Sequence, residues 1–237
     1  MNKINSYGQF CPVALTSEII CNRWTTLILR AFYCGATTFT EIQNSAPLMS
    51  SAILSRRLRE LEHANIIEQV PTETKRRKEY RLTQAGEALF PIIDQMGIWA
   101  QKWLRREITL EKNMDPDVLF WELRQLNILH GFTTEKRRVI EFNVSGVSPK
   151  KQRYWLIFEP QDIEICLKDP GHEVDLWVSA HIKTLVEVWL GHTPLQSARE
   201  NGTLRLDGTL SEEKAFSKWF ILSHFAKDEL EHNEASQ

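Results

Sequence analysis

The apolar positions of the first hundred residues fall at helical spacing, while those of the last hundred mostly alternate. Residues 13–21 and 24–33 each carry a helical face, the second built on Leu27, Ile28 and Phe32. Asn22 is placed to cap the second segment and Gly35 to stop it. Thr38 caps a short helix with Phe39, Ile42 and Ala46 on one face, and Pro47 ends it. Ser50 then caps a longer helix over 51–63. Its Leu54, Leu58 and Leu61 stand at i, i+4 and i+7 and make one stripe for burial. Ser51, Ala52, Ser55, Arg56 and Arg59 form the opposite face. Two short strands, 66–71 and 79–83, flank a polar tip over 72–78.

Beyond the tip, Thr83 caps a helix with a long stripe of Ala85, Leu89, Ile92, Met96, Trp99 and Trp103, kinked by Pro91. The stripe is too apolar for one small domain to cover. It reads as a dimer seam or as a face packed on the chain's own second half. In that half, residues 138–144, 153–159, 163–168, 173–179 and 204–207 are strand candidates. Residues 181–190 are helical and end at Gly191. Thr193 and Pro194 open another helix, and Ser211 a last one with Glu212 and Glu213 in its first turn. Strands mixed with helices make this half α+β.

Charge separates the halves more sharply than composition does. The 237 residues carry a net charge of −2, yet residues 1–110 stand at +4 and the remainder at −6. Five of the eight tryptophans lie beyond residue 110. These shifts suggest a domain over 1–110, a linker or helix over 111–135, an α+β domain over 136–226 and a polar tail over 227–237. No apolar run is long enough for a membrane helix, and the first residues lack the apolar core of a secretory signal. Cys11, Cys21, Cys34 and Cys166 have no CxxC spacing, so neither a disulfide framework nor a zinc site is expected, and the simplest compartment is a reducing cytoplasm. No nucleophile-elbow, P-loop, zinc-protease or dinucleotide motif is present, and the seven histidines show no metal spacing. The expectation is no catalytic residue, no cofactor and no metal.

The order helix, helix, helix, basic hairpin is that of a winged helix-turn-helix. Its partner would be double-stranded DNA, met by Ser51, Ser55, Arg56 and Arg59 from the helix and by Lys75, Arg76, Arg77 and Lys78 from the hairpin tip. A Lys-Arg-Arg-Lys run alone is usually a solvated loop, and a capped amphipathic helix alone is usually core. Their combination at this spacing carries the reading.

Five ordered blocks extend it: Cys11-Pro12-Val13; Arg23-Trp24-Thr25 with Leu27-Ile28-Leu29-Arg30; Phe39-Thr40-Glu41-Ile42; Leu54-Ser55-x-Arg57-Leu58-x-Glu60-Leu61-Glu62; and Glu79-Tyr80-x-Leu82-Thr83-x-x-Gly86. Over roughly residues 8–105 they resemble the HxlR-type, MarR-related winged-helix transcription factors. The resemblance implies a homodimer, 51–63 as recognition helix and 75–78 as wing tip. It departs at Ser51 and Ala52, where the family often has Pro-Lys, and in its highly charged wing. The resemblance also implies a redox or electrophile sensor at Cys11, against a plain reading as a small buried residue.

In the second half, Asp169-Pro170-Gly171-x-x-Val174-Asp175-Leu176 and the run from Leu185 through Trp189, Gly191, Pro194, Ala198 and Gly202 to Gly208 resemble the sterol-carrier-protein-2-like fold. That likeness implies a cavity for an apolar small molecule, with Trp155, Phe158, Trp177, Trp189, Phe216 and Trp219 as candidate lining. The alternative is that these rings simply fill the core. The whole chain then reads as a DNA-binding transcription regulator on an inverted-repeat operator. The competing reading is a lipid or acyl carrier whose winged helix makes only protein contacts.

Overall fold

The computed structural model describes residues 6–71, 78–132, 134–160 and 162–226. They divide into two compact units, Met1–Gln95 and Met96–Gln237.

Caps and turns set the helices of the first unit. α1 (Pro12–Ile20) opens with proline in its first turn, where no N–H partner is needed. α2 (Thr25–Tyr33) follows Trp24, whose backbone is left-handed at φ 79°. Asn22 does not cap α2 as its position suggested. Its side-chain amide donates to the Glu18 carbonyl (2.8 Å) and closes the end of α1 instead. Gly35, at φ 86°, does end α2 and lets the Ala36 N–H reach the Ala31 carbonyl (3.0 Å). α3 (Phe39–Ser45) starts with a full capping box. Thr38 Oγ1 accepts from the Glu41 N–H (3.4 Å), and the Glu41 carboxylate accepts from the Thr38 N–H (3.0 Å).

α4 (Ser51–His63) is capped by the Ser50 hydroxyl, which accepts from the Ile53 N–H (3.3 Å). Asn65, at φ 56°, ends it, with the Ile66 N–H donating to the Leu61 carbonyl (2.9 Å). Ile28 and Leu29 of α2, Ile42 of α3 and Leu54, Leu58 and Leu61 of α4 are all buried in this unit's core. β1 (Ile67–Val70) and β2 (Glu79–Leu82) pair antiparallel, Ile67 opposite Leu82 and Val70 opposite Glu79.

The helix after the hairpin is two helices. α5 (Gln84–Glu87) stops, and α6 (Phe90–Trp103) starts afresh with Pro91 in its first turn. A proline suited to a helix start thus replaces the expected kink. α5 is held close: a side chain at Gly86 would collide with the Ile66 carbonyl, and the Tyr33 hydroxyl donates to the Gly86 carbonyl (2.8 Å). The division between the units falls within α6.

The second unit begins with the rest of α6 and α7 (Arg105–Ile108). Within the segment 111–135 lies α8 (Pro116–Leu129), buried on nearly every side. The sheet that follows has the order β5-β4-β3-β6-β7. β3 (Arg138–Ser145) pairs antiparallel with β4 (Arg153–Phe158) and parallel with β6 (Leu176–His181). β5 (Ile163–Cys166) and β7 (Leu204–Gly208) pair antiparallel at the edges. The helices are α8, α9 (Ile182–Trp189), α10 (Leu195–Glu200) and α11 (Leu210–Trp219). One core cluster joins Phe142, Leu156 and Val178 of the sheet to Phe120, Leu185 and Phe216 of the helices. Asn127 ties α8 to α11, its amide donating to the Leu123 (2.7 Å) and Trp219 (2.8 Å) carbonyls. The opposite face carries a smaller cluster of Val139, Trp155 and Ile157, with Cys166 and Val174 packed on it. This is the expected α+β unit. Among the described residues, no helix is long and apolar enough to cross a membrane, and no three His, Cys, Asp or Glu side chains gather as a metal site would require.

Candidate nucleic-acid interface

The site is built on the turn between α3 and α4. Met49 is buried in that turn, and the Gln43 side-chain amide donates to its carbonyl. The direction in which α4 leaves the turn is therefore fixed by packing and by a hydrogen bond. Leu54, Leu58 and Leu61 anchor one face of α4 in the core. Ser51, Arg56 and Arg59 are exposed on the rest of it, and Ser55 is half-buried.

The arginines are lightly held. Arg56 Nε lies 3.7 Å from Glu60 Oε1, and Arg59 Nε donates to the Ser55 carbonyl (3.3 Å). Exposed pairs of this kind contribute about 0.3–0.5 kcal/mol, so a phosphate or a base edge can displace them at small cost. Arg57 differs. Its side chain is only 12% exposed and is paired with Glu60. Sequence reasoning did not single out Arg57 as a site residue. The signal for it was weak: one acidic residue three positions along the same helix.

The hairpin supplies Lys78, which is exposed beside β2. Lys75, Arg76 and Arg77 lie outside the described residues. Arg81 on β2 is paired across the hairpin with Glu68 on β1 (2.7 Å). Cys11 sits half-buried at the N-cap of α1, and its side chain makes no capping hydrogen bond.

Comparison with known proteins bears on this same stretch. The sequence profile described as "HxlR-like helix-turn-helix" matches residues 19–108. The HTH-type transcriptional regulator YvaP of Bacillus subtilis is 39% identical over 99 residues, 41% of this chain and 92% of that protein. The chain belongs to the HxlR-like helix-turn-helix family. It is therefore a helix-turn-helix transcription regulator and not an enzyme. YodB of Bacillus subtilis, another HTH-type transcriptional regulator, is 36% identical over 98 residues, 40% of this chain and 88% of that protein. The solved structure of the redox regulator HypR in its oxidised form aligns with 30% identity and a TM-score of 0.37, covering 39% of this chain and 96% of that one.

In this HxlR-like chain the six aromatic residues singled out in the second half fall on two faces of one sheet. Phe158, Trp189, Phe216 and Trp219 belong to the main core. The Trp219 ring packs on the two phenyl rings, with centroids 4.5 Å apart for Phe216 and Trp219 and 5.7 Å for Phe158 and Trp219. Trp155 is buried on the opposite face beneath the Arg153 guanidinium (4.7 Å), and Trp177 is exposed. The structure does not bring the six together on one surface. The strand period of two already separates Trp155 from Phe158.

Proposed function

We propose that the chain is a homodimeric regulator that reads double-stranded DNA with α4. Arg56, Arg59, Ser51 and Ser55 make the helix contacts, and Lys75, Arg76, Arg77 and Lys78 make the wing contacts. The observation that carries this reading is the division of α4. Three leucines fix the helix in the core, while two lightly held arginines and its serine-capped start are left on the outside. Such a helix offers N–H groups and guanidinium forks to a major groove. Support for the dimer comes from α6, where exposure runs from 43% at Ile92 to 63% at Trp103 along the predicted stripe. A second copy would cover that stripe and set two α4 helices about one helical turn of DNA apart, about 34–36 Å, on an inverted repeat.

In this reading an apolar effector enters the second unit, a sterol-carrier-like domain, among Phe158, Trp189, Phe216 and Trp219. Quenching of tryptophan fluorescence by a brominated fatty acid tests that extension, and an unquenched spectrum removes it. Cys11 is its thiol sensor. Oxidation by diamide is expected to release DNA from the wild type but not from Cys11→Ser.

Salt titration tests the central reading. Phosphate contacts make the logarithm of the affinity fall steeply with the logarithm of salt concentration, and Arg76→Ala is expected to lower that slope by about one for every DNA sequence. An affinity indifferent to salt contradicts DNA contact and favours the carrier reading.

A further inference from the structure

The two edges of the sheet in the second unit are finished differently. At the β5 edge, Arg124 of α8 donates from Nε to the Ile163 carbonyl. At the β7 edge, among the described residues, only β6 pairs with the strand backbone. β7 contains no proline, and its register with β6 runs from Leu204 to Gly208 without a bulge. Its outer N–H and C=O groups are therefore a template for another strand.

The side chains of β7 alternate between the two faces of the sheet. Leu204 and Leu206 pack with the main core. Arg205 and Asp207 take the other face and are exposed, and neither is in an ion pair among the described residues. On β6, Trp177 stands opposite Asp207 and is 41% exposed. The same pairing of indole and carboxylate occurs further along this face, where Trp155 stands opposite Glu141. There an arginine covers both: Arg153 pairs with Glu141 (2.8 Å) and lies over the Trp155 ring (4.7 Å). Trp177 and Asp207 present the equivalent surface to the outside.

We propose that β7 pairs antiparallel with β7 of a second copy of this chain, joining two five-stranded sheets edge to edge. Charge sets the register. With the two-fold axis at Leu206, Leu206 faces Leu206 of the second copy, and Arg205 of each copy faces Asp207 of the other. The incoming Arg205 meets Asp207 beside Trp177, as Arg153 meets Glu141 beside Trp155. An axis at Arg205 or at Asp207 would instead set like charges opposite each other, which is destabilising. Charges on an edge strand commonly prevent self-pairing. They do so where like charges meet, and symmetry about Leu206 brings unlike charges together. A single exposed ion pair contributes little. The strand hydrogen bonds supply the affinity, and the two symmetry-related ion pairs select the partner. The pairing uses no residue of α4 or of the α6 stripe, so it stands apart from the function proposed above.

Hydrogen exchange on the full chain tests this, read by mass spectrometry on the peptide that contains residues 204–208. Arg205→Asp and Asp207→Arg each set like charges opposite each other. Each is expected to speed exchange in that peptide about tenfold over the wild type at the same concentration. Expressed together, the two single variants should regain slow exchange, because each meets unlike charges only in the other. An effect confined to one chain gives no such rescue. Far-ultraviolet dichroism confirms that both variants fold. A wild-type β7 that exchanges as fast as both variants overturns the self-pairing and leaves the edge to a strand of another protein. Co-expressed variants that exchange as fast as each does alone overturn it as well.

Discussion

α4 and α8 are of nearly equal length, 13 and 14 residues, and they use their surfaces in opposite ways. α4 commits one leucine stripe to the core and leaves arginines and serines outside. α8 buries Leu119, Phe120, Trp121 and Leu123, and with them Glu122, Gln125 and Asn127. Nearly all of its surface is committed to cohesion of the second unit. A helix anchored on one stripe can be altered on its other side without loosening the fold, and that freedom is what recognition of another molecule requires. A helix buried all round has no such side. The Asn127 amide N–H group is turned inward, where it donates to the Leu123 and Trp219 carbonyls.

The contrast is sharpest at Phe120 and Arg56. The Phe120 ring stacks on Tyr154 at 4.1 Å and meets Phe142 edge-on at 4.8 Å. Phe120→Ala is expected to destabilise the second unit by about 3–5 kcal/mol, read from its urea midpoint at unchanged slope. Arg56→Ala should leave that midpoint within about 0.5 kcal/mol and cost about 1–3 kcal/mol in binding to the preferred DNA, with relaxed base preference. If Arg56→Ala unfolds the chain, or Phe120→Ala does not, the division of roles between the two helices fails.

The same contrast explains what was legible in the sequence. α4 could be drawn almost to the residue, because a stripe of Leu54, Leu58 and Leu61 beneath a serine cap has one solution. α8 carried no stripe to read, since apolar and polar residues are buried together around its circumference. It therefore stayed within a segment read as linker or helix. The strands of the second unit were found by β-branched and aromatic content over 138–144 and 153–159 and by alternation over 163–168 and 173–179, but β6 begins at Leu176, three residues later than the pattern suggested. Asn22 misled because a cap for the next helix and a clasp for the previous one look alike in sequence. Only the structure shows its amide on the Glu18 carbonyl.

Smaller effects extend the comparison within the first unit. Thr38→Ala removes one half of the capping box before α3 and is expected to cost about 1 kcal/mol in thermal or urea unfolding. It should shift DNA affinity only through that loss. Tyr33 gives a pH signature. Burial raises its hydroxyl pKa to about 12, above the ordinary value of 10.0. The neutral, hydrogen-bonded phenol is favoured in the folded state. Its stabilisation is complete below pH 10 and is lost as the pH rises through the folded value near 12. Tyr33→Phe should lower stability at neutral pH by about 1 kcal/mol through the lost bond to the Gly86 carbonyl. It should also flatten the alkaline fall in stability. An alkaline profile identical to that of the wild type would show that Tyr33 does not control it.

The most direct test of α4 as the reading element is selection of genomic DNA fragments by the purified chain at moderate salt. Wild type and Arg56→Ala are run side by side, and the retained fragments are sequenced. The expected result is an enriched inverted repeat for the wild type, with base preference relaxed at one position of each half-site in the variant. The contradicting result is no enriched motif for the wild type, or the same motif with the same affinity in both.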